Sequence, residues 1–172
     1  MKKYGNNFAF IDAQNLHCGI QSLGWNINWH KFRIYLTEKY AVTSAYLFIG
    51  FVQENQKLYE HLQQCGYILI FKPIVRDGNG RVKGNCDADL ILHALLKMPE
   101  YDKAIIITSD GDFYSLVRHL REKGKLAMVL SSYVKTCSKL LKEEAREKIN
   151  YMSNLRGKIG ENENAPHKDE TL

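Results

Sequence analysis

The chain has 172 residues, 45% of them hydrophobic and 11% aromatic, which suits one domain with a sizeable core and excludes a disordered protein. Its formal net charge of +5 favours a polyanionic partner, although so modest an excess also occurs on ordinary solvated surfaces. Cys18, Cys65, Cys86 and Cys137 are scattered without CxxC or Cys/His spacing, which argues against a zinc site or disulfide framework and fits a reducing cytoplasm; no segment reads as a signal peptide or a membrane span.

In chain order, residues 7–11 form a short apolar strand ending in Asp12, followed by a loop or helix start. Residues 30–40 read as an imperfect helix and 44–52 as a second buried strand. Residues 53–65 are polar with Leu58 and Leu62 four apart, a helix stopped by Gly66, and 67–71 supply a third strand. Residues 73–84 place Asp77-Gly78-Asn79-Gly80 between two β-prone arms, the pattern of a hairpin or flap. A Leu- and Ala-rich helix over 87–98 leads to a strand at 103–108, an amphipathic helix at 113–123 ended by Gly124, a strand at 126–130, a basic helix at 135–148 and a short strand near 149–152. The expected domain covers 1–155, with 156–172 a flexible tail. Strands alternating with helices predict a three-layer α/β/α sandwich with a mainly parallel sheet.

The most informative stretch is AIIITSDGDF, from Ala104 to Phe113. A run of β-branched residues fits a strand buried on both faces, and Asp110 then stands just past its carboxyl end, where open α/β sheets bind ligands. Read alone, Ser109-Asp110-Gly111 is equally a turn, with Asp112 capping the next helix. Gly111 is expected to let the backbone bend sharply between the two aspartates. A second strand also ends in aspartate, Asp12, and Asp87 begins a helix. If the strands carrying Asp12 and Asp110 are neighbours, these carboxylates share one crevice. Like charges about 4 Å apart repel by about 4 kcal/mol at an effective dielectric near 20, so the cluster calls for a cation. Hard oxygen donors without a histidine or cysteine cluster favour Mg²⁺ or Mn²⁺, and such ions support attack of water on a phosphodiester.

Rival chemistries fit less well. There is no Walker loop, the first strand leads into DAQN and not GxGxxG, and Gln14 stands where an aspartyl phosphatase would carry its second aspartate. Lys72, Arg76, Arg81 and Lys83 are candidates to track phosphates beside the crevice, as are Lys135, Lys139, Lys142 and Arg146, although surface cations commonly only solvate. Nothing in the spacing of Trp25, Trp29 or the tyrosines singles out a base-stacking platform.

FIDAQN at 10–15, KGNCDADLILHAL at 83–95 and TSDGDFYSLVRHLREKGK at 108–125, in this order and spacing, resemble the NYN domain, the LabA-like branch of the PIN-like ribonucleases. The resemblance covers roughly residues 5–155. It implies a PIN-like Rossmannoid fold and a metal-dependent endoribonuclease acting on RNA, with Asp12, Asp87, Asp110 and Asp112 as catalytic, Mg²⁺- or Mn²⁺-holding residues. It further implies Asn15 and Lys83 as substrate-binding positions, beside Arg81. His93 stands where many members carry another aspartate, and is read either as part of a solvated stripe with Asp89 and Lys97 or as a substrate contact. Asp89 is not expected to replace the missing carboxylate, since residues two apart on a helix face opposite sides. The alternative reading is a non-catalytic RNA-binding or regulatory module; the composition leaves a homodimer open.

Overall fold

The computed structural model describes residues 5–72, 75–76, 82–83 and 87–161, with backbone only for 75–76 and 82–83. Six strands, β1 (Asn7–Asp12), β2 (Val42–Gly50), β3 (Tyr67–Lys72), β6 (Ala104–Ile107), β7 (Leu126–Ser131) and β8 (Ile149–Tyr151), form one sheet in the order β3-β2-β1-β6-β7-β8. Every pairing in it is parallel. Between them, β4 (Val75–Arg76) and β5 (Val82–Lys83) pair antiparallel, as the expected hairpin does.

The helices cover both faces. On one lie α1 (Ala13–Gln21), α2 (Trp29–Tyr40), α3 (Gln56–Gln64) and α7 (Arg156–Ile159), which bury Leu16, Ile20, Phe32, Leu36, Leu58, Leu62 and Ile159 against Ala9, Ile11, Leu47 and Ile105. On the other lie α4 (Asp87–Leu96), α5 (Tyr114–Glu122) and α6 (Lys139–Ala145), whose Leu90, Ala94, Leu116, Leu120 and Leu141 meet Phe8, Phe10, Phe48 and Ile106. Successive residues of β1 thus feed opposite cores, which is why strands that read as unbroken apolar runs lie in the middle of the sheet. All four residues of β6 are fully buried. No helix among the described residues is long and apolar enough to cross a membrane.

Several boundaries differ from expectation. The basic helix expected over 135–148 is only Lys139–Ala145, because residues 133–137 form a turn closed by the Cys137 N–H on the Tyr133 carbonyl at 3.0 Å. The expected tail begins too early. Ile159 is fully buried, Gly160 bridges to Ile27, and the Asn28 N–H donates to the Ile159 carbonyl at 2.8 Å. One apolar anchor in a polar stretch is enough to dock it, and an averaged composition hides such an anchor. Residues 162–172 lie outside the described part.

From β1 the chain moves outward through β2 to β3, then returns across the sheet to β6 on the other side of β1. The strand order therefore reverses between β1 and β6, and a crevice opens beyond their carboxyl ends, the usual ligand position in such sheets.

Candidate functional site

Beyond these strand ends lies a cavity of about 670 Å³ whose lining includes Asp12, Asn15, Lys72, Asp87, Ser109 and Asp110. Asp12 ends β1 with extended backbone and caps α1: one carboxylate oxygen accepts from the Asn15 N–H at 3.2 Å. The other accepts from the Thr108 hydroxyl at 3.3 Å. That hydroxyl in turn accepts from the Asp110 N–H at 3.1 Å, while the Asn15 side-chain oxygen accepts from the Ser109 N–H at 2.8 Å. The adjacent strand ends are thus stitched together through side chains, and Asp12 and Asp110 are fixed relative to each other. Asp110 caps the 3₁₀ turn Gly111–Phe113, its Oδ1 accepting from the Asp112 N–H at 3.0 Å.

One carboxylate oxygen from each of Asp87, Asp110 and Asp112 lies within 4.8 Å of the others. Asp87 and Asp110 are half-buried and Asp112 is exposed. Asp87 opens α4, while Asp110 and Asp112 come from the one turn after β6, so two elements distant in sequence deliver this set. Asp12 lies deeper and is not one of the three, although it lines the same cavity. Only 6% of Asp12 is exposed, and burial pushes its carboxyl up to about 6. The charge of Asp87 adds to the rise, against the Asn15 N–H, the Thr108 hydroxyl and Lys72.

Lys72 is the residue that the sequence undervalues. At the end of β3 it points to the same face as Asp12 and is 5% exposed. Burial lowers its ammonium below the usual lysine range, opposed by the charges of Asp87, Asp12 and Asp89. A cation is therefore built into the acidic crevice. Asp89, not expected to act here, contributes through that field and not as one of the three clustered carboxylates.

Gly111 does not have the expected role. Its φ is not in the left-handed region; instead a Cβ there would collide with the Ser138 hydroxyl. The glycine allows the loop before α6 to close on the Asp110 turn, and the Ser138 N–H donates to the Ser109 carbonyl at 3.0 Å. Gly19 is similar, since a Cβ would strike Ser132. Sequence reading also missed a buried hydroxyl knot, in which the Ser109 Oγ lies 2.8 Å from that of Ser131 and 2.9 Å from that of Ser132. The available signal was hydroxyl residues directly after two buried apolar strands.

His93 is not a cavity residue. It packs against the ring of Phe48 at 5.5 Å and that of Tyr46 at 6.5 Å, and Lys97, one turn on, sits over Tyr46 at 5.5 Å. His93 is thus half-buried, with one side of its ring on the aromatic core. Asn15 lines the crevice. Lys83 lies in β5, its backbone paired with Val75 and its side chain outside the described part; Arg81 lies outside the described residues. Lys139 pairs with Glu143 at 3.7 Å, a local surface contact.

A family model described as the NYN domain matches residues 8–152. The chain belongs to the NYN domain family. Among curated proteins, the "Low amplitude and bright protein LabA" of Synechococcus elongatus is 23% identical over 133 residues, 72% of each sequence, which puts this NYN domain in the LabA-like branch of the PIN-like nuclease superfamily. Among solved structures, a protein of unknown function from Vibrio parahaemolyticus superposes with a TM-score of 0.72 at 22% identity, covering 85% of this chain and 93% of that one. That likeness shows the same fold. The acidic cluster of this NYN domain thus sits at the strand-order reversal that its fold class uses for ligands.

Proposed function

We infer that the protein is a metal-dependent endoribonuclease of the cytoplasm, and the observation that carries this is the convergence of Asp87, Asp110 and Asp112 within 4.8 Å at the carboxyl edge of the sheet. The donor set fits the ion: oxygen atoms only, half-exposed, without imidazole or thiolate among the three, as Mg²⁺ or Mn²⁺ prefers. A divalent ion held by these carboxylates would polarise water and offset charge on the phosphodiester. Asp12, held at the back of the crevice with its carboxyl pushed up by burial, is positioned to exchange a proton with the attacking water. Asn15, with its oxygen committed to the Ser109 N–H, keeps its amide N–H groups for a phosphate oxygen. Lys72 supplies a second positive centre for the RNA backbone, and Lys83 and Arg81 extend it along the strand.

A second reading, an RNA-binding module that does not cut, is favoured by Lys72 itself. A buried ammonium facing Asp12 and Asp87 supplies counter-charge without an ion. The two readings separate in one experiment. Single-stranded and structured RNAs are incubated with Mn²⁺ or Mg²⁺ and with wild type or Asp110→Asn, whose side-chain oxygen still caps the Gly111–Phe113 turn. Cleavage by wild type, falling at least 100-fold in the variant, is the expected result, on the scale of losing one electrostatic stabiliser. RNA bound but intact under every metal condition would leave the second reading standing.

A further inference from the structure

A second feature lies at the same edge of the sheet. Phe51, just after β2, and Phe71, in β3, are 46% and 40% exposed. Their rings meet edge to face, with centroids 5.5 Å apart at 89°. Both rest on Tyr59 of α3, which is only 6% exposed: Phe71 at 4.8 Å and 71°, Phe51 nearly parallel at 6.0 Å and 26°. The Tyr59 hydroxyl is fixed, accepting from the Val52 N–H at 2.7 Å and donating to the Gly50 carbonyl at 3.1 Å. The Phe51 N–H donates to the Lys72 carbonyl at 3.2 Å, which joins the two strand ends that carry the rings. The outcome is a rigid pair of aromatic surfaces held open to solvent on a buried, hydrogen-bonded base.

The register relates the pair to the acidic crevice. Asp12 is opposite Phe48, and Phe48 is opposite Ile70. Phe71 is therefore one residue past the row of Asp12 and two strands away, about 10 Å at normal strand spacing. Side chains alternate along β3, so Lys72 enters the crevice while Phe71 lies on the opposite, α3-covered face, against Tyr59, and a strand that reaches both must pass over the carboxyl ends of the strands. A buried cation and an exposed ring on consecutive residues divide the two recognition tasks of a single strand, backbone charge and base face.

We propose that Phe51 and Phe71 form a stacking platform for an unpaired nucleobase of an RNA strand whose backbone passes Lys72 into the acidic crevice. The proposal rests on the RNA reading above, but not on cleavage. It explains why two adjacent phenylalanines stay in water next to a charged site, and it assigns the protein unpaired RNA in preference to a continuous duplex, whose bases offer no free face.

The test is binding of a short fluorescent single-stranded RNA to the full chain with Ca²⁺ in place of Mn²⁺, an ion that also takes oxygen donors, with electrophoresis of the RNA showing that it stays intact. Phe51→Leu and Phe71→Leu keep apolar cover over Tyr59 and remove the flat faces; Phe51→Trp and Phe71→Trp restore them. Each leucine is expected to weaken binding about 5- to 10-fold, at the lower end of what one stacked base is worth, while the tryptophans bind as tightly as wild type or tighter. An RNA with a single abasic position, moved along the strand, should lose affinity for wild type at one position and lose none for the double leucine variant. Equal binding by wild type and the double leucine variant, equal loss in leucine and tryptophan variants, or no binding by wild type each overturns the platform. Binding that depends on the rings without cleavage in Mn²⁺ removes the nuclease reading and leaves the platform; cleavage and binding indifferent to the rings does the reverse.

Discussion

Asp12→Asn isolates the electrostatic state of the crevice in one substitution. The shape is kept: the amide oxygen still accepts from the Asn15 N–H, asparagine caps helices as well as aspartate does, and the amide N–H₂ can donate to the Thr108 hydroxyl in place of the present bond. Only the charge is lost. In the folded protein the carboxyl is pushed from its ordinary 3.8 up to about 6, so between those values the native state holds a proton that the unfolded chain has released. Stability contributed by this group therefore falls as pH rises through that window; the cost is absent below about pH 3.8 and complete above about pH 6. That displacement corresponds to about 3 kcal/mol. In chelator at pH 7.5 the variant should accordingly be the more stable protein by up to about 3 kcal/mol, or roughly 6–12 °C in Tm for a chain of this size. At pH 4 the two should melt together. Excess Mn²⁺ should narrow the gap at pH 7.5, since a cation near Asp12 favours its ionised form and wild type therefore gains more from the ion than the variant does. Thermal melts followed by circular dichroism across this pH range, with and without metal, read all of this. A variant less stable than wild type in chelator at pH 7.5, or an advantage unchanged at pH 4, would refute the account of a buried, desolvated carboxylate.

Two further substitutions test neighbouring parts of the site. Lys72→Met removes the resident cation that faces Asp12 and Asp87, and should tighten Mn²⁺ binding about 10-fold, a modest share of charge–charge energies at an effective dielectric near 20; calorimetric titration of metal into the chelator-free protein measures it, and unchanged affinity would mean that the ammonium does not act on the ion site. Gly111→Ala drives a methyl group into the Ser138 side chain and should cost roughly 1–3 kcal/mol, with part of the loss recovered in Gly111→Ala/Ser138→Ala; equal Tm values for the single and double variants would place the strain elsewhere.

What could be read from the sequence was whatever depends on a local pattern. Four apolar residues followed by Thr-Ser-Asp specify a buried strand and the position of its end, and the same holds for Asp12, so the crevice between β1 and β6 was legible once those strands were neighbours. Register and side-chain direction were not. Lys72 looks like any surface lysine until the parallel pairing of β3 with β2 sets which way it points. His93 is flanked by polar residues at helical spacing, yet the face that it occupies rests on Tyr46 and Phe48, 47 and 45 residues earlier in the chain. Gly111 was assigned a conformational role because a turn is a local property, whereas the contact that requires it comes from Ser138, beyond the next helix and strand. Phe51 and Phe71 read as strand residues, and only the sheet order shows that β3 lies at its end.

The charge balance of the crevice gives Asp12 a role that the three clustered carboxylates do not have. With Asp12, Asp87, Asp110 and Asp112 ionised against Lys72, the formal charge is −3, and a single divalent ion leaves it at −1, which repels a phosphodiester. Protonation of Asp12 would bring the one-ion crevice to neutrality; burial pushes its carboxyl up to about 6 in the metal-free protein, and a bound ion draws it back down. An arriving phosphate itself raises that value by repulsion, so the substrate favours the proton that makes room for it. The same proton must leave if Asp12 is to accept one from the attacking water. Binding and cleavage therefore make opposite demands on one buried group, and an optimum in cleavage against pH, with RNA affinity declining steadily from acid to alkaline across it, follows from a single-ion site built this way.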